Sequence, residues 1–175
     1  AEEILSRCRE AAGKDFIIIY RLSMLDLVPD GNAWDEIVEQ AKMAEATGAT
    51  LINTGIGWHE ARIPTIATMV PRAAFTWVTA RMRPEVSVPV ITSNRINTPD
   101  VAEEVLANGD ADMVSMARPL LADSEVAQRG KANADAGNPQ AFFAELIGTA
   151  NSGVPIAEFQ DDSVRSTMWE SVVDA

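Results

Sequence analysis

The chain has 175 residues, 47% of them hydrophobic and 23% charged, and its 26 acidic against 14 basic side chains give a net charge of −12. That is the composition of an ordinary globular domain; it excludes a disordered chain, and its negative sign opposes non-specific binding to nucleic acid or anionic lipid. A single cysteine, Cys8, and a single histidine, His59, exclude a disulfide framework and a zinc or iron–sulfur site built from this chain alone. Without an apolar run of about 18 residues or the basic and apolar regions of a signal peptide at its start, the expected location is the cytoplasm, with no membrane or nucleic-acid partner.

Residues 1–12 place Ile4, Leu5 and Cys8 on one helical face and predict a helix. Phe16–Tyr20 is apolar on both faces, as a buried parallel strand is. A helix is predicted over Trp34–Ala46, where Ile37, Val38, Ala41 and Ala44 recur at helical spacing and Gly48 is placed to stop it. A second apolar run, Thr50–Asn53, breaks into Thr54–Gly57, and a third, Val88–Thr92, breaks into Ser93-Asn94-Arg95. Thr98-Pro99-Asp100 then reads as a helix start with a threonine side-chain cap, and Gly109 closes that helix. The fourth run, Met113–Met116, ends at Ala117-Arg118-Pro119.

About four strand–helix units over residues 1–125 predict an α/β fold with a parallel sheet. Residues 126–140 read as a polar linker. Residues 141–175 read as a helical tail, with Phe142–Ile147 in one stretch and Val164, Met168, Trp169 and Val172 on one face of another.

In parallel sheets ligands gather beyond the carboxyl ends of the strands, where backbone amides and helix N-termini face them. Those places hold Arg21, the Gly55–Arg62 segment, Asn94-Arg95 and Ala117-Arg118. Three of the four runs lead to an arginine, which in an acidic chain points to an anion-sized site, although each arginine taken singly reads first as a solvated charge. His59 sits in Gly57-Trp58-His59-Glu60-Ala61-Arg62, either as a surface polar residue or as a polar group of that site; Glu60 and Arg62 also suit a local ion pair. Cys8 is expected to be a buried small hydrophobe, and Trp34, Trp58 and Trp77 to be packing residues. Gly55-Ile56-Gly57 is too short to mark a dinucleotide site.

Four stretches in order, DFIIIYRLSMLDLVP (15–29), LINTGIGWHEARIPTIAT (51–68), VITSNRINT (90–98) and DADMVSMARPLLADS (110–124), closely resemble the flavin-dependent bacterial 2,4-dienoyl-CoA reductases of the old yellow enzyme superfamily. The resemblance covers about 110 residues. It implies a partial (β/α)8 TIM barrel, strands five to eight of an FMN-binding barrel, followed by the helical tail. It implies that Arg21 lies near the flavin ring, Arg95 is the strand-seven arginine at the flavin, and Ala117 with Arg118 holds the phosphate side. His59 corresponds to the active-site histidine, and His59-Glu60-Ala61-Arg62 to a segment facing the acyl-CoA.

The family reduces conjugated dienoyl thioesters in fatty-acid β-oxidation, drawing electrons from NADPH through FAD and an iron–sulfur cluster to FMN. Two departures accompany the resemblance: the first half of the barrel, with its tyrosine proton donor and first flavin loop, has no counterpart here, and residues 126–175 carry no cysteine to ligate a cluster. The implied partners are a dienoyl-CoA or enone substrate and either the missing half-barrel or a second copy. Two rivals stay open: a non-catalytic half-barrel that self-associates, and another phosphate-binding barrel enzyme.

Overall fold

Alternation of apolar and polar side chains along Ile19–Leu25 makes this segment, β1, a strand with Tyr20, Leu22 and Met24 on one face and Ile19, Arg21 and Ser23 on the other. The computed structural model describes residues 1–62 and 64–119. Within them the chain runs α1 (Glu2–Ala12), β1, α2 (Trp34–Thr47), β2 (Leu51–Ile56), α3 (Thr76–Met82), a short 3₁₀ turn (Arg83–Glu85), β3 (Val90–Thr92), α4 (Pro99–Ala107) and β4 (Met113–Val114). All strand pairs are parallel and their order in the sheet is the order in the chain, β1-β2-β3-β4. Sequential order with helices between strands is the winding of a (β/α)8 barrel, and these four units form part of one.

The core lies between the sheet and its helices. Leu22 and Met24 of β1, Ile52 and Ile56 of β2 and Val90 of β3 pack with Ile37 and Ala41 of α2 and with Phe75, Val78 and Met82 at α3. Phe75 has no solvent-accessible surface, and burying a side chain of that size stabilises the fold by about 1.5–3 kcal/mol. Two smaller clusters close the ends: Leu5 of α1 meets Ala44 and Ala49, and Val105 of α4 meets Ile96 and Ala111. Arg9 fastens α1 in place by donating from Nε and Nη2 to the Gly48 carbonyl. The opposite face of the sheet is open, leaving Ile19 54% and Met113 47% exposed.

Several expectations are corrected. The first strand starts at Ile19, and Phe16 and Ile17 are exposed, because Ile18 is the first residue whose backbone meets the β2 end, at Thr50 and Leu51. Arg21 is therefore inside β1, on the open face, and not beyond its end. Cys8 is exposed and so is Ile4, since Leu5 is the apolar residue of that helix that packs into the Ala44–Ala49 cluster. Trp58 and Trp77 are about half exposed, while Trp34 is half-buried with the Arg81 guanidinium 4.1 Å from its ring centre. Thr98 occupies the N-cap position of α4 but makes no side-chain cap bond; its hydroxyl is turned into the interior.

Gly48 ends α2 as expected, its N–H reaching the Ala44 and Glu45 carbonyls. The 126–140 linker and the 141–175 helical tail lie outside the described residues.

Candidate functional site

Pairing of β1 with β2 sets Arg21 beside Asn53, and pairing of β2 with β3 sets Asn53 beside Ile91. These residues share the face of the sheet turned away from the helices, where Ile91 is buried. Beyond β3 the chain turns sharply, with Asn94 and Arg95 both at positive φ, 69° and 58°. Neither is glycine, so the turn is held by side-chain bonds that offset its cost of roughly 1 kcal/mol per residue. Asn94 Nδ2 donates to the Thr65 hydroxyl at 3.0 Å, Arg95 Nε donates to the Val70 carbonyl at 2.7 Å, and the Ala73 amide donates to the Arg95 carbonyl at 3.1 Å.

Beyond β4, Ser115 spans back toward Asn53, its hydroxyl 3.4 Å from the side-chain oxygen, and the chain turns helical at Arg118-Pro119.

The outcome is a cleft of about 600 Å³ at the carboxyl end of the sheet. Arg21, Arg95, Ala117 and Arg118 line it together, with Asn53, Ser93, Asn94, Asn97 and Ser115 between them and Ile66 at one wall. Its lining among the described residues contains no carboxylate, so it is a cationic, donor-rich recess in a chain whose net charge is −12. Low-dielectric walls around such a recess focus its field on an incoming anion. The side-chain oxygen of Asn97 is buried there with no hydrogen-bond partner among the described residues.

His59, Glu60, Ala61 and Arg62 stand apart from the cleft lining, on the segment that leaves β2. Its course is set locally. The Gly57 and Trp58 amides donate to the Leu25 and Asp26 carbonyls, extending the β1–β2 pairing past the strand end, and the Ala61 amide returns to the Trp58 carbonyl. Gly57 has a φ of 76°, and a β-carbon there would lie 2.7 Å from the Thr65 methyl, so the segment closes on itself where Asn94 holds Thr65. His59, Glu60 and Arg62 are exposed and Ala61 is half-buried.

Several contributors escaped the sequence reading, Asn97 and Ile66 of the cleft lining among them. Asn53 and Ser115 could have been found by following one face of the register away from Arg21. Asp26 is buried and accepts from Ser23, Asn32 and Trp58. Burial pushes its pKa up, but the bonds from Ser23, the Asn32 amide, the Trp58 indole and the Asn32 side chain outweigh it and hold the carboxyl below its ordinary value. Among the described residues no group of three or more histidine, cysteine, aspartate or glutamate side chains is arranged to hold a metal. No helix among them is long and apolar enough to cross a membrane.

Known proteins share this fold. A solved 2-naphthoyl-CoA reductase in complex with 2-naphthoyl-CoA superposes with a TM-score of 0.71 and 31% identity, covering 79% of this chain and 21% of that one. A metal reductase of Desulforamulus reducens is 40% identical over 124 residues, 71% of this chain and 19% of the relative. An NADH oxidase of Thermoanaerobacter brockii is 33% identical over 131 residues, 74% of this chain and 20% of the relative. The chain thus spans about a fifth of the length of the curated relatives it matches. The four-strand parallel sheet and a family match over residues 1–136 lead to one assignment: this chain belongs to the NADH:flavin oxidoreductase / NADH oxidase family.

Proposed function

We propose that this chain forms the flavin and substrate face of an FMN-dependent reductase of the 2,4-dienoyl-CoA reductase type, acting on conjugated enoyl thioesters. The observation that carries the reading is the convergence of Arg21, Arg95 and Arg118 with amide and hydroxyl side chains in one cleft at the carboxyl end of the sheet. FMN combines a phosphate dianion with a planar, hydrogen-bonding ring, and the donor set suits both parts. Arginine offers a planar fork to phosphate, and Asn53, Asn94 and Asn97 add amide side chains to the same lining. Bound there, FMN supplies the hydride.

In this reading Arg118 and the backbone at Ala117 hold the phosphate, as Arg95 does from the other side of the cleft. Arg21 projects from the middle of β1 and places a fixed cation where negative charge accumulates on the ring. His59 donates a hydrogen bond to the thioester carbonyl oxygen, toward which charge moves as the conjugated system is reduced, while Glu60, Ala61 and Arg62 line the path of the CoA. The 2-naphthoyl-CoA reductase, solved with 2-naphthoyl-CoA, supports an aromatic or conjugated thioester as the substrate class. NADPH, FAD and an iron–sulfur cluster belong to the electron supply of a longer assembly in this reading. The exposed Ile19 and Met113 at the two sheet edges are covered by further strands, from that assembly or from a second copy.

The test is titration of the purified chain with FMN, followed by flavin absorbance and native mass. The expected result is a yellow complex whose affinity falls with Arg118→Ala and with added salt. A chain that takes up no FMN, or takes it up with an affinity indifferent to Arg118→Ala and to salt, refutes the assignment. Reoxidation of the reduced flavin by a dienoyl-CoA then tests the substrate class.

A further inference from the structure

We infer that Asp26 is a positioning residue: its carboxylate holds the indole of Trp58 and thereby sets where the next residue, His59, stands. The role of His59 rests on the function proposed above, whereas the Asp26–Trp58 contact stands on geometry alone.

Asp26 follows β1 immediately after a shift in the β1–β2 register between Ser23 and Leu25, and it is 5% exposed. Its Oδ1 accepts from the Ser23 hydroxyl at 2.6 Å and from Trp58 Nε1 at 2.7 Å; its Oδ2 accepts from the Asn32 amide at 2.9 Å and Asn32 Nδ2 at 2.7 Å. All four contacts donate, so the position calls for an acceptor at both oxygens, which only an ionised carboxylate supplies. Gly31 closes the other side, where a β-carbon would come within 2.9 Å of the Asp26 β-carbon. An isolated structural carboxylate has no need to reach a second loop. This one does, and it takes the only polar atom of the Trp58 side chain.

Trp58 is consequently held twice, by its backbone amide on the Asp26 carbonyl at 3.0 Å and by its indole on the carboxylate. Yet its side chain stays 55% exposed. A tryptophan with its N–H satisfied inside and its ring turned outward presents a rigid aromatic surface beside His59, suited to a planar conjugated group. Ile66, 55% exposed, follows later in the chain and lines the cleft.

The substitution that isolates the effect is Asp26→Asn. An amide keeps the shape, but its NH₂ must face either the Asn32 donors or Trp58 Nε1, which cannot accept. In the full 175-residue chain labelled with ¹⁵N at tryptophan and histidine, Trp58→Phe identifies the Trp58 indole signal. The expected result is that Asp26→Asn moves that signal, speeds exchange of its proton with solvent and shifts the His59 ring signals, while Trp34 and Trp77 stay unchanged. Should Asp26→Asn fail to fold, Asp26→Glu serves in its place, because its longer arm keeps the charge but carries the acceptor away from Trp58 Nε1, and the Trp58 indole and His59 ring signals must then still move.

Unmoved His59 ring signals in the folded variant overturn the proposal. With FMN present, 2-naphthoyl-CoA is the binding probe. Its affinity is expected to fall about tenfold in Asp26→Asn, the equivalent of one charge-assisted hydrogen bond, while FMN affinity stays within about twofold. An equal fall for both ligands marks a general loss of structure and also overturns the proposal. If the parent chain binds FMN but no 2-naphthoyl-CoA, the thioester reading fails, and moved indole and imidazole signals still uphold the positioning role.

Discussion

Replacing Gly57 by alanine acts on the hinge between β2 and the His59 segment. Its φ of 76° lies in the left-handed region, where a β-carbon costs about 1–2 kcal/mol. The added carbon would also sit 2.7 Å from the Thr65 methyl, closer than carbon atoms approach without displacement. Thr65 is buried and its hydroxyl accepts from Asn94, so yielding space strains a hydrogen bond worth about 0.5–1.5 kcal/mol net. Together these predict a loss of about 2–3 kcal/mol.

Gly109 provides the comparison, because its φ is also 76° while a β-carbon there meets only the end of the Arg83 side chain at 3.4 Å. Gly109→Ala is expected to cost about 1–2 kcal/mol, the backbone part alone. Urea unfolding of both variants measures the difference, provided the slope with denaturant is unchanged. If Gly57→Ala proves no worse than Gly109→Ala, the Thr65 contact does not constrain the loop. The description of a segment locked between Gly57, Thr65 and Asn94 is then wrong.

Arg118→Ala is expected to weaken FMN binding by about 10- to 100-fold at low ionic strength, the difference narrowing as salt rises, in a fluorescence titration. His59→Ala in a reductase-competent assembly is expected to slow flavin reoxidation by a conjugated thioester by about two decades, read by stopped flow; a change within about twofold returns His59 to a surface role. The folded pKa of Asp26 is depressed, so its contribution is complete above its ordinary value of 3.8 and is lost as pH falls through the folded pKa. Urea midpoints measured downward from pH 6 should therefore fall on the acid side, and less steeply in Asp26→Asn. Phe75→Ala is expected to cost about 3–5 kcal/mol by emptying the centre of the core, checked by the same unfolding assay.

Local pattern was enough for much of this protein. Apolar spacing in Trp34–Ala46, the stop at Gly48 and the start at Thr98-Pro99 all mark helices found within a residue or two of those positions. The apolar runs Thr50–Asn53, Val88–Thr92 and Met113–Met116 likewise fall on β2, β3 and β4, although β2 continues through Thr54, Gly55 and Ile56, where a loop was expected. These features depend on interactions within a few residues, which a linear chain records directly. Arg21 shows where such reading stops. Counted from its apolar run it lay beyond a strand, but the strand begins later and carries it on the open face beside Asn53.

Which side of the sheet the helices cover depends on contacts between residues tens of positions apart, and so does the exposure of Cys8. No local periodicity encodes either one. The same holds at the site. Arginines at three separate positions and the histidine segment were legible as residue types, and residues 1–136 carry the family in their sequence. Tertiary structure alone decided that Arg21, Arg95, Ala117 and Arg118 share one cleft while His59–Arg62 stand beside it. It also bound Asp26 to Trp58 across 32 positions of chain. Register and loop closure bring such groups within hydrogen-bond range, and both are properties of the packed sheet, fixed only when all its strands have met.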